Sequence, residues 1–216
     1  LEDLCSNLDI ARATRLPICQ DTGLVTVFLE LGQDVHISGG GLDEAVQEGV
    51  RRGYAEGYLR KSVVRDPLRR VNTGDNTPAA LKLRIVPGEG VRITVSPKGA
   101  GSENMCRIKM LTPAEGEEGV RRFVVDTVLS AGGNPCPPTV VGVGIGGGFD
   151  TVAAIAREAL LRPVGEPNAD GYYAAMEREL LAEINASGLG PQGLGGRAAA
   201  RAGDIEGRPA HIAVLP

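Results

Sequence analysis

Aromatic side chains are nearly missing from this chain: tryptophan is absent, and aromatics make up 3% of the 216 residues. A core built without them must draw on Val, Ile, Leu and Ala. Cysteine is scarce too. Four thiols in a chain of this length are too few for a disulfide scaffold, which points to a reducing compartment such as the cytoplasm. No long basic block is present and the net charge is -4, so nucleic acid is not the expected partner. No apolar run approaches the length of a bilayer span, and the first residues lack the basic start and apolar middle of a secretion signal, so no membrane association is expected. Glycine, at 31 residues, is plentiful and marks tight turns or places of close backbone approach.

The length suits one large domain or two small ones, and the chain is read as a single domain over 1–216. Both ends read as cut from something longer. Leu4, Leu8 and Ile10 open in helical character without a clear cap, and Pro216 follows an apolar run at 212–215. In order, the pattern predicts a helix over 1–16 stopped by Pro17, strands at 25–29 and 34–37, and a helix over 42–60 with Ala45, Val46, Gly49 and Val50 on one stripe. A polar loop over 65–78 precedes two alternating strands, one carrying Leu81, Leu83 and Ile85 and the other Val91, Ile93 and Val95, joined as a hairpin through 87–90. A Gly-rich turn at 96–104 then opens a helix carrying Met105, Ile108 and Met110, with Ser102 as its N-cap. Further helices are expected at 119–129, 151–161 and 172–184, with a buried strand at 139–145, a flexible or ligand-facing loop at 188–196, and the start of a strand at the end. The fold class is mixed α+β, helices packed around a mixed or antiparallel sheet.

Chemistry concentrates in two stiff turns. Pro17-Ile18-Cys19-Gln20-Asp21-Thr22-Gly23 sets a thiol, an amide and a carboxylate side by side. Cys136 lies in Gly133-Asn134-Pro135-Cys136-Pro137-Pro138, where prolines restrict the backbone. Two thiols so placed read as metal ligands before they read as a disulfide. The turn from Ser96 to Asn104 offers backbone N–H groups and Lys98 to a carboxylate or phosphate, yet it matches neither the Gly-Lys-Ser/Thr phosphate loop nor the dinucleotide fingerprint. The glycines at 142, 144 and 146–148 fit close packing beside a cofactor.

These motifs, with Leu59-Arg60-Lys61-Ser62, Asn72-Thr73-Gly74-Asp75-Asn76-Thr77-Pro78-Ala79, Lys98-Gly99-Ala100-Gly101-Ser102 and Gly144-Ile145-Gly146-Gly147, follow one another in a fixed order over nearly the whole chain. In that order they resemble the alpha subunit, or N-terminal half, of the iron-sulfur hydro-lyases, class I fumarate hydratase and L(+)-tartrate dehydratase. The resemblance implies an iron-sulfur hydro-lyase alpha-type fold and a 4Fe-4S cluster held by three cysteines. Of these, Cys19 and Cys136 match two, and a third is expected beyond residue 216. It implies a small dicarboxylic acid as substrate, contacted by Gln20, Asp21, Arg60, Lys98, Gly99 and Gly101, with Asp21 and His211 as catalytic residues. A beta subunit or C-terminal domain completes the site, alpha subunits contact each other in a larger assembly, and this span alone is inactive. Hydration of fumarate to malate is the first expectation, tartrate dehydration the alternative, and a non-enzymatic scaffold the third. Ala100 stands where the family pattern has glycine, which is tolerable if the backbone there is ordinary. Cys106 reads as a small, partly buried side chain, Cys5 as part of the leading helix and His36 as a strand residue.

Overall fold

The computed structural model describes residues 2–216; Leu1 and the Leu4 side chain, both part of the N-terminal helical reading, lie outside the described residues. The chain forms two compact units, one running through Ala100 and one from Gly101. Together they show the expected mixture of helices and sheets.

In the first unit, α1 (Glu2–Thr14) ends at Arg15, whose φ of 57° is left-handed. Strand β1 (Leu24–Gly32) is central in a three-stranded sheet, with β2 (Ala80–Val86) parallel on one side and β3 (Val91–Lys98) antiparallel on the other. The expected hairpin is therefore not formed. The turn after Val86 reverses the chain, but β1 lies between β2 and β3 and takes the ladder hydrogen bonds of both. The strand expected at 34–37 is irregular, so exposed His36 sits in a loop. Helix α2 (Leu42–Glu56) starts with Asp43 and Glu44 in its first turn, where carboxylates favour the helix dipole. It lays Val46, Val50 and buried Tyr54 over Val25, Val27, Ala79 and Leu81.

The second unit begins within a four-residue helical turn, α3 (Ala100–Glu103), and does not continue as a helix; Met105 to Met110 form an irregular segment with Ile108 and Met110 exposed. Ser102 thus lies inside the turn and is not an N-cap, and Cys106 is exposed, not partly buried. Helix α4 (Gly116–Ala131), parallel strands β4 (Val140–Gly147) and β5 (Ala202–Ala210), and helices α5 (Val152–Ala159) and α6 (Gly171–Ala186) enclose a core of Leu111, Val120, Val124, Met176, Leu180, Ile184 and Ile205. The β4 glycines meet a helix. A Cβ on Gly142 would come within 2.4 Å of the Ala156 carbonyl oxygen, and one on Gly144 within 2.5 Å of that of Val152, so glycine is what lets α5 lie against β4. The final strand is β5; residues 212–215 form a turn in which Leu215 bridges to Leu111. Among the described residues, no helix is long and apolar enough to cross a membrane.

Buried polar groups tie this unit together. Glu177 on α6 accepts from Arg162 at 2.6 Å, from the Ile205 N–H at 2.8 Å and from the Asn168 N–H at 3.0 Å, while Arg162 and Asn168 each donate to the Ile205 carbonyl at 2.7 Å.

Candidate active site

The turn at 17–23 is held from four directions. Asp21 Oδ2 accepts the Ala100 N–H at 2.6 Å, and Oδ1 accepts the Gly23 N–H at 3.1 Å. The Thr22 hydroxyl donates to the Arg60 carbonyl at 2.7 Å. Tyr54 donates its phenol O–H to the carbonyls of Thr22, at 2.6 Å, and Gly23, at 3.2 Å. Fully buried Asn76 completes the set: its Nδ2 donates to the Gly23 carbonyl at 3.2 Å, and its Oδ1 accepts the N–H groups of Ser62 and Val63 at 2.7 and 3.2 Å. One side chain therefore links this turn to the segment that follows Arg60. Gly23 has φ +81°, and a Cβ there would lie 2.7 Å from the Lys98 nitrogen, so the close approach of turn and β3 needs glycine on both counts.

Cys19, Gln20, Asp21, Arg60, Lys98 and Gly99 are brought around this one turn. The Cys19 sulfur accepts the Asp21 N–H at 3.4 Å, and its thiol donates to Gln20 Oε1 at 3.6 Å. Arg60 is exposed and donates Nε–H to the Ser62 hydroxyl at 3.0 Å. Gly99 lies against the Asp21 carboxylate, and Ala100 adopts ordinary helical backbone, so its methyl is accommodated while its N–H still reaches Asp21. Behind the turn, Asp75 is held well below the usual carboxylate range, first by the Thr77 N–H, then by the Thr77 hydroxyl and Arg51. The loop at 72–78 thereby carries a fixed anion paired to α2.

Three other expected site residues belong to the second unit. Gly101 sits where a Cβ would come within 2.7 Å of the Asn134 carbonyl oxygen, two residues before Cys136. The loop bearing exposed Cys136 is braced by Gln192, which donates to the Gly133 carbonyl, and by Asn134, which donates to that of Ala131 at 3.0 Å. The segment at 188–196 is thus partly a brace: a bridge joins Leu189 to Gly196, and a 3-10 turn spans Pro191–Gly193. His211 is exposed on the wall of a cleft of about 370 Å³ shared with Glu117, Tyr172, Met176 and Ile145. Its Nδ1 accepts the Ala213 N–H at 3.2 Å, which leaves Nε2 to carry the proton of the neutral ring. In the same cleft the Tyr172 hydroxyl donates to Glu117 at 2.7 Å, lowering the carboxyl's pKa and raising the phenol's.

Sequence reasoning did not single out Tyr54, Thr22 or Asn76 as the holders of the turn. A signal existed for the last: Asn76 has φ 63°, and asparagine in a polar loop is the residue most tolerant of that conformation after glycine.

A family model described as "Fumarate hydratase (Fumerase)" matches residues 1–216, and the chain belongs to that family. A chain of Methanocaldococcus jannaschii, provisionally named L(+)-tartrate dehydratase subunit alpha, is 43% identical over 222 residues, covering 100% of this chain and 78% of its own length. The L(+)-tartrate dehydratase alpha subunits of Escherichia coli K12 and Shigella sonnei are each 34% identical over 213 residues, covering 97% of this chain and 70% of theirs. Membership places the chain among the alpha-type chains of hydro-lyases and suggests a 4Fe-4S-dependent class of enzyme.

The donor chemistry here fits such a group in kind. Among the described residues no cysteine is in a disulfide, and the Cys19 sulfur already accepts a backbone N–H, a hydrogen bond that suits a thiolate ligand. Among the described residues, no group of three or more His, Cys, Asp or Glu side chains forms a metal site.

Proposed function

We propose that this chain is the alpha subunit of a hydro-lyase that dehydrates L(+)-tartrate. The carrying observation is identity of 34–43%, over essentially the whole chain, to chains that bear that name. Hydration of fumarate to malate is the second reading, favoured by the family description.

Dehydration of a hydroxylated dicarboxylate removes a weakly acidic carbon-bound proton and expels a poor leaving group, hydroxide. The residues of the 17–23 turn serve the first requirement, which is to hold the substrate still. Arg60, with its planar fork, takes a carboxylate, and Lys98, Gly99 and Gly101 supply charge and N–H groups to carboxylate oxygens. Gln20 offers an amide to a hydroxyl or carboxylate. Both oxygens of Asp21 accept backbone N–H groups, which fixes the carboxylate in place and leaves its remaining lone pairs for a substrate hydroxyl. His211 holds its proton at Nε2 and is the candidate acid–base group of this chain. Cys19 and Cys136 would each supply a thiolate to the 4Fe-4S cluster, with a third cysteine from outside these residues, and the cluster would supply Lewis acidity toward the substrate hydroxyl. A beta subunit or C-terminal domain contributes the remaining acid–base groups, and the reducing cytoplasm that suits cysteines outside disulfides is the proposed location.

Anaerobic reconstitution of this alpha chain, carried through its third cysteine, with the beta subunit tests the proposal by comparing turnover of L(+)-tartrate and malate. Tartrate should be the better substrate. Malate turnover with none on tartrate would reject it in favour of the second reading. Cys19→Ser and Cys136→Ser should each abolish the iron-sulfur absorbance and reduce turnover at least about a hundredfold, while far-UV dichroism stays unchanged.

A further inference from the structure

The loop that carries Cys136 is poor in donors of its own. Pro135, Pro137 and Pro138 have no N–H, so Cys136 supplies the single backbone donor of residues 135–138. Such a stretch cannot fasten itself by a backbone ladder and has to be held through what precedes it. One hold comes from Asn134, whose N–H and Nδ2 both donate to the Ala131 carbonyl at the end of α4, at 3.2 and 3.0 Å. The other comes from a distant segment: Gln192 donates Nε2–H to the Gly133 carbonyl. The two backbones are also in close contact there. A Cβ on Gly133 would come within 2.3 Å of the Gln192 carbonyl oxygen.

Gln192 occupies this place against its own preference. Its φ of 56° and ψ of 20° are left-handed, a conformation that glycine enters freely and glutamine rarely. Glycine is common around it, at 188, 190, 193, 195 and 196. What glutamine adds over another glycine is a side-chain amide, and that amide is directed at Gly133. The segment behind it is stiff. The Leu194 N–H donates to the Pro191 carbonyl at 3.0 Å and the Gly195 N–H to that of Leu189 at 2.9 Å. Leu189 packs on the core of the second unit, and its N–H donates at 3.3 Å to the hydroxyl of Ser187, which caps the end of α6. A continuous path therefore runs from α6 through Leu189 and Gln192 to Gly133. Strain maintained by stiff surroundings, next to a candidate ligand, is the mark of a position kept for function.

We infer that Gln192 is a positioning residue for the Cys136 thiolate, fixing through the Gly133 carbonyl the loop from which Cys136 reaches the 4Fe-4S cluster. The inference rests on the reading of Cys136 as a cluster ligand. Cys136 lies three residues beyond Gly133, and the prolines on both sides of it restrict the backbone, so the thiol follows the placement of the Gly133 peptide. Gln192 acts through that loop and touches neither substrate nor sulfur.

The test uses the whole alpha chain, carried through its third cysteine and reconstituted anaerobically with the beta subunit, and follows the decay of the iron-sulfur absorbance in the presence of a chelator. Gln192→Gly removes the amide and relieves the left-handed strain, so the fold should keep its far-UV dichroism and melting temperature. The absorbance should nevertheless decay about tenfold faster than in wild type. In the chain without its cluster, hydrogen exchange should quicken at Gly133, Asn134 and Cys136 and not in β4. Gln192→Glu, of equal length but without a donor at neutral pH, should decay as fast as Gln192→Gly, whereas Gln192→Lys, which keeps a donor of sufficient reach, should recover most of the loss. Should a change at 192 disturb folding, Gly133→Ala parts the two segments with Gln192 intact and must also speed the decay. Wild-type decay in Gln192→Gly and Gln192→Glu, or equal decay in Gln192→Glu and Gln192→Lys, would overturn the inference. Cys136→Ser keeps this outcome apart from failure of the underlying reading. Loss of the absorbance in that variant beside wild-type decay in Gln192→Gly would overturn the positioning role alone, while a retained wild-type absorbance would remove Cys136 as a ligand and the inference with it.

Discussion

Each unit is organised around one buried polar side chain, and the two differ in charge. In the first, Asn76 gathers the N–H groups of Ser62 and Val63 and the Gly23 carbonyl with a neutral amide. In the second, Glu177 gathers Arg162 and the N–H groups of Asn168 and Ile205 with a carboxylate, and Asp204 and Glu206 lie nearby. A neutral amide has no protonation state to lose, so the share of the hold on the 17–23 turn that Asn76 provides does not change with pH. The carboxylate binds more strongly, but it needs its cation. Asn76 is thus the weaker device and one that pH does not switch, while the framework of the second unit is held by the stronger one.

Breaking the charged device should have the larger effect. Glu177→Gln removes the partner of an Arg162 that is only 11% exposed and should destabilise the second unit by about 3 kcal/mol, since Glu206 still faces the guanidinium. Thermal unfolding followed by far-UV dichroism measures this. A loss below that of the next variant would invert the comparison. Asn76→Ala leaves two backbone N–H groups without their acceptor and puts alanine at φ 63°, so about 2–3 kcal/mol is expected. Asn76→Gly removes the same hydrogen bonds without the left-handed strain, and should recover about 1 kcal/mol of that loss. Equal melting of the two variants would show that conformation plays no part.

How much of this could be read beforehand follows the reach of each signal. Strand β1 was legible because 24–29 carries β-branched and apolar residues in an unbroken run. The strands at 80–86 and 91–98 were legible too, but their pairing was not. A local turn satisfied the hairpin pattern, whereas the true partner, β1, lies some fifty to seventy residues earlier. Met105, Ile108 and Met110 have helical spacing, yet the helix ends at Glu103. Strand β5, reading Ala-Gly-Asp-Ile-Glu-Gly-Arg-Pro-Ala, has no alternation; its parallel pairing with β4 and the burial of Ile205 make it a strand. At the candidate site the residue types of the 17–23 turn announced themselves locally. Its supports, Tyr54 and Asn76, act across more than thirty and fifty residues and carry no local signature.

The comparison can be sharpened at the turn itself. Tyr54→Phe keeps the ring packed against Val25 and Val27 and removes only the hydroxyl shared by the Thr22 and Gly23 carbonyls. About 1 kcal/mol should be lost, because the Gly23 carbonyl still accepts from Asn76. If the turn positions substrate, KM in the reconstituted enzyme should rise more than kcat falls. An unchanged KM with a normal melting temperature would mean that Asn76 and Asp21 suffice to hold it.

The smallest effect belongs to Asp204, and its sign separates the two devices. This side chain is 3% exposed, and its Oδ2 has no hydrogen-bond partner among the described residues. Burial raises its pKa first; Arg162 pulls it down, and Glu177 and Glu206 push it up further. A carboxyl whose folded pKa lies above its unfolded one favours the fold while protonated. Its contribution is complete below the unfolded pKa and is lost as pH rises through the folded value. At neutral pH the charge therefore costs stability. Asp204→Asn removes that charge and should stabilise the chain by something under about 1 kcal/mol at pH 7, the new amide needing a partner of its own. The advantage should shrink as pH falls and vanish below about 4, where the wild-type carboxyl is protonated in both states. Asn76 variants, by contrast, should show the same deficit at every pH where the chain folds. Melting curves of wild type, Asp204→Asn and Asn76→Ala across this range decide the matter: a pH-independent gain in Asp204→Asn would show that packing, not charge, is what the substitution changes.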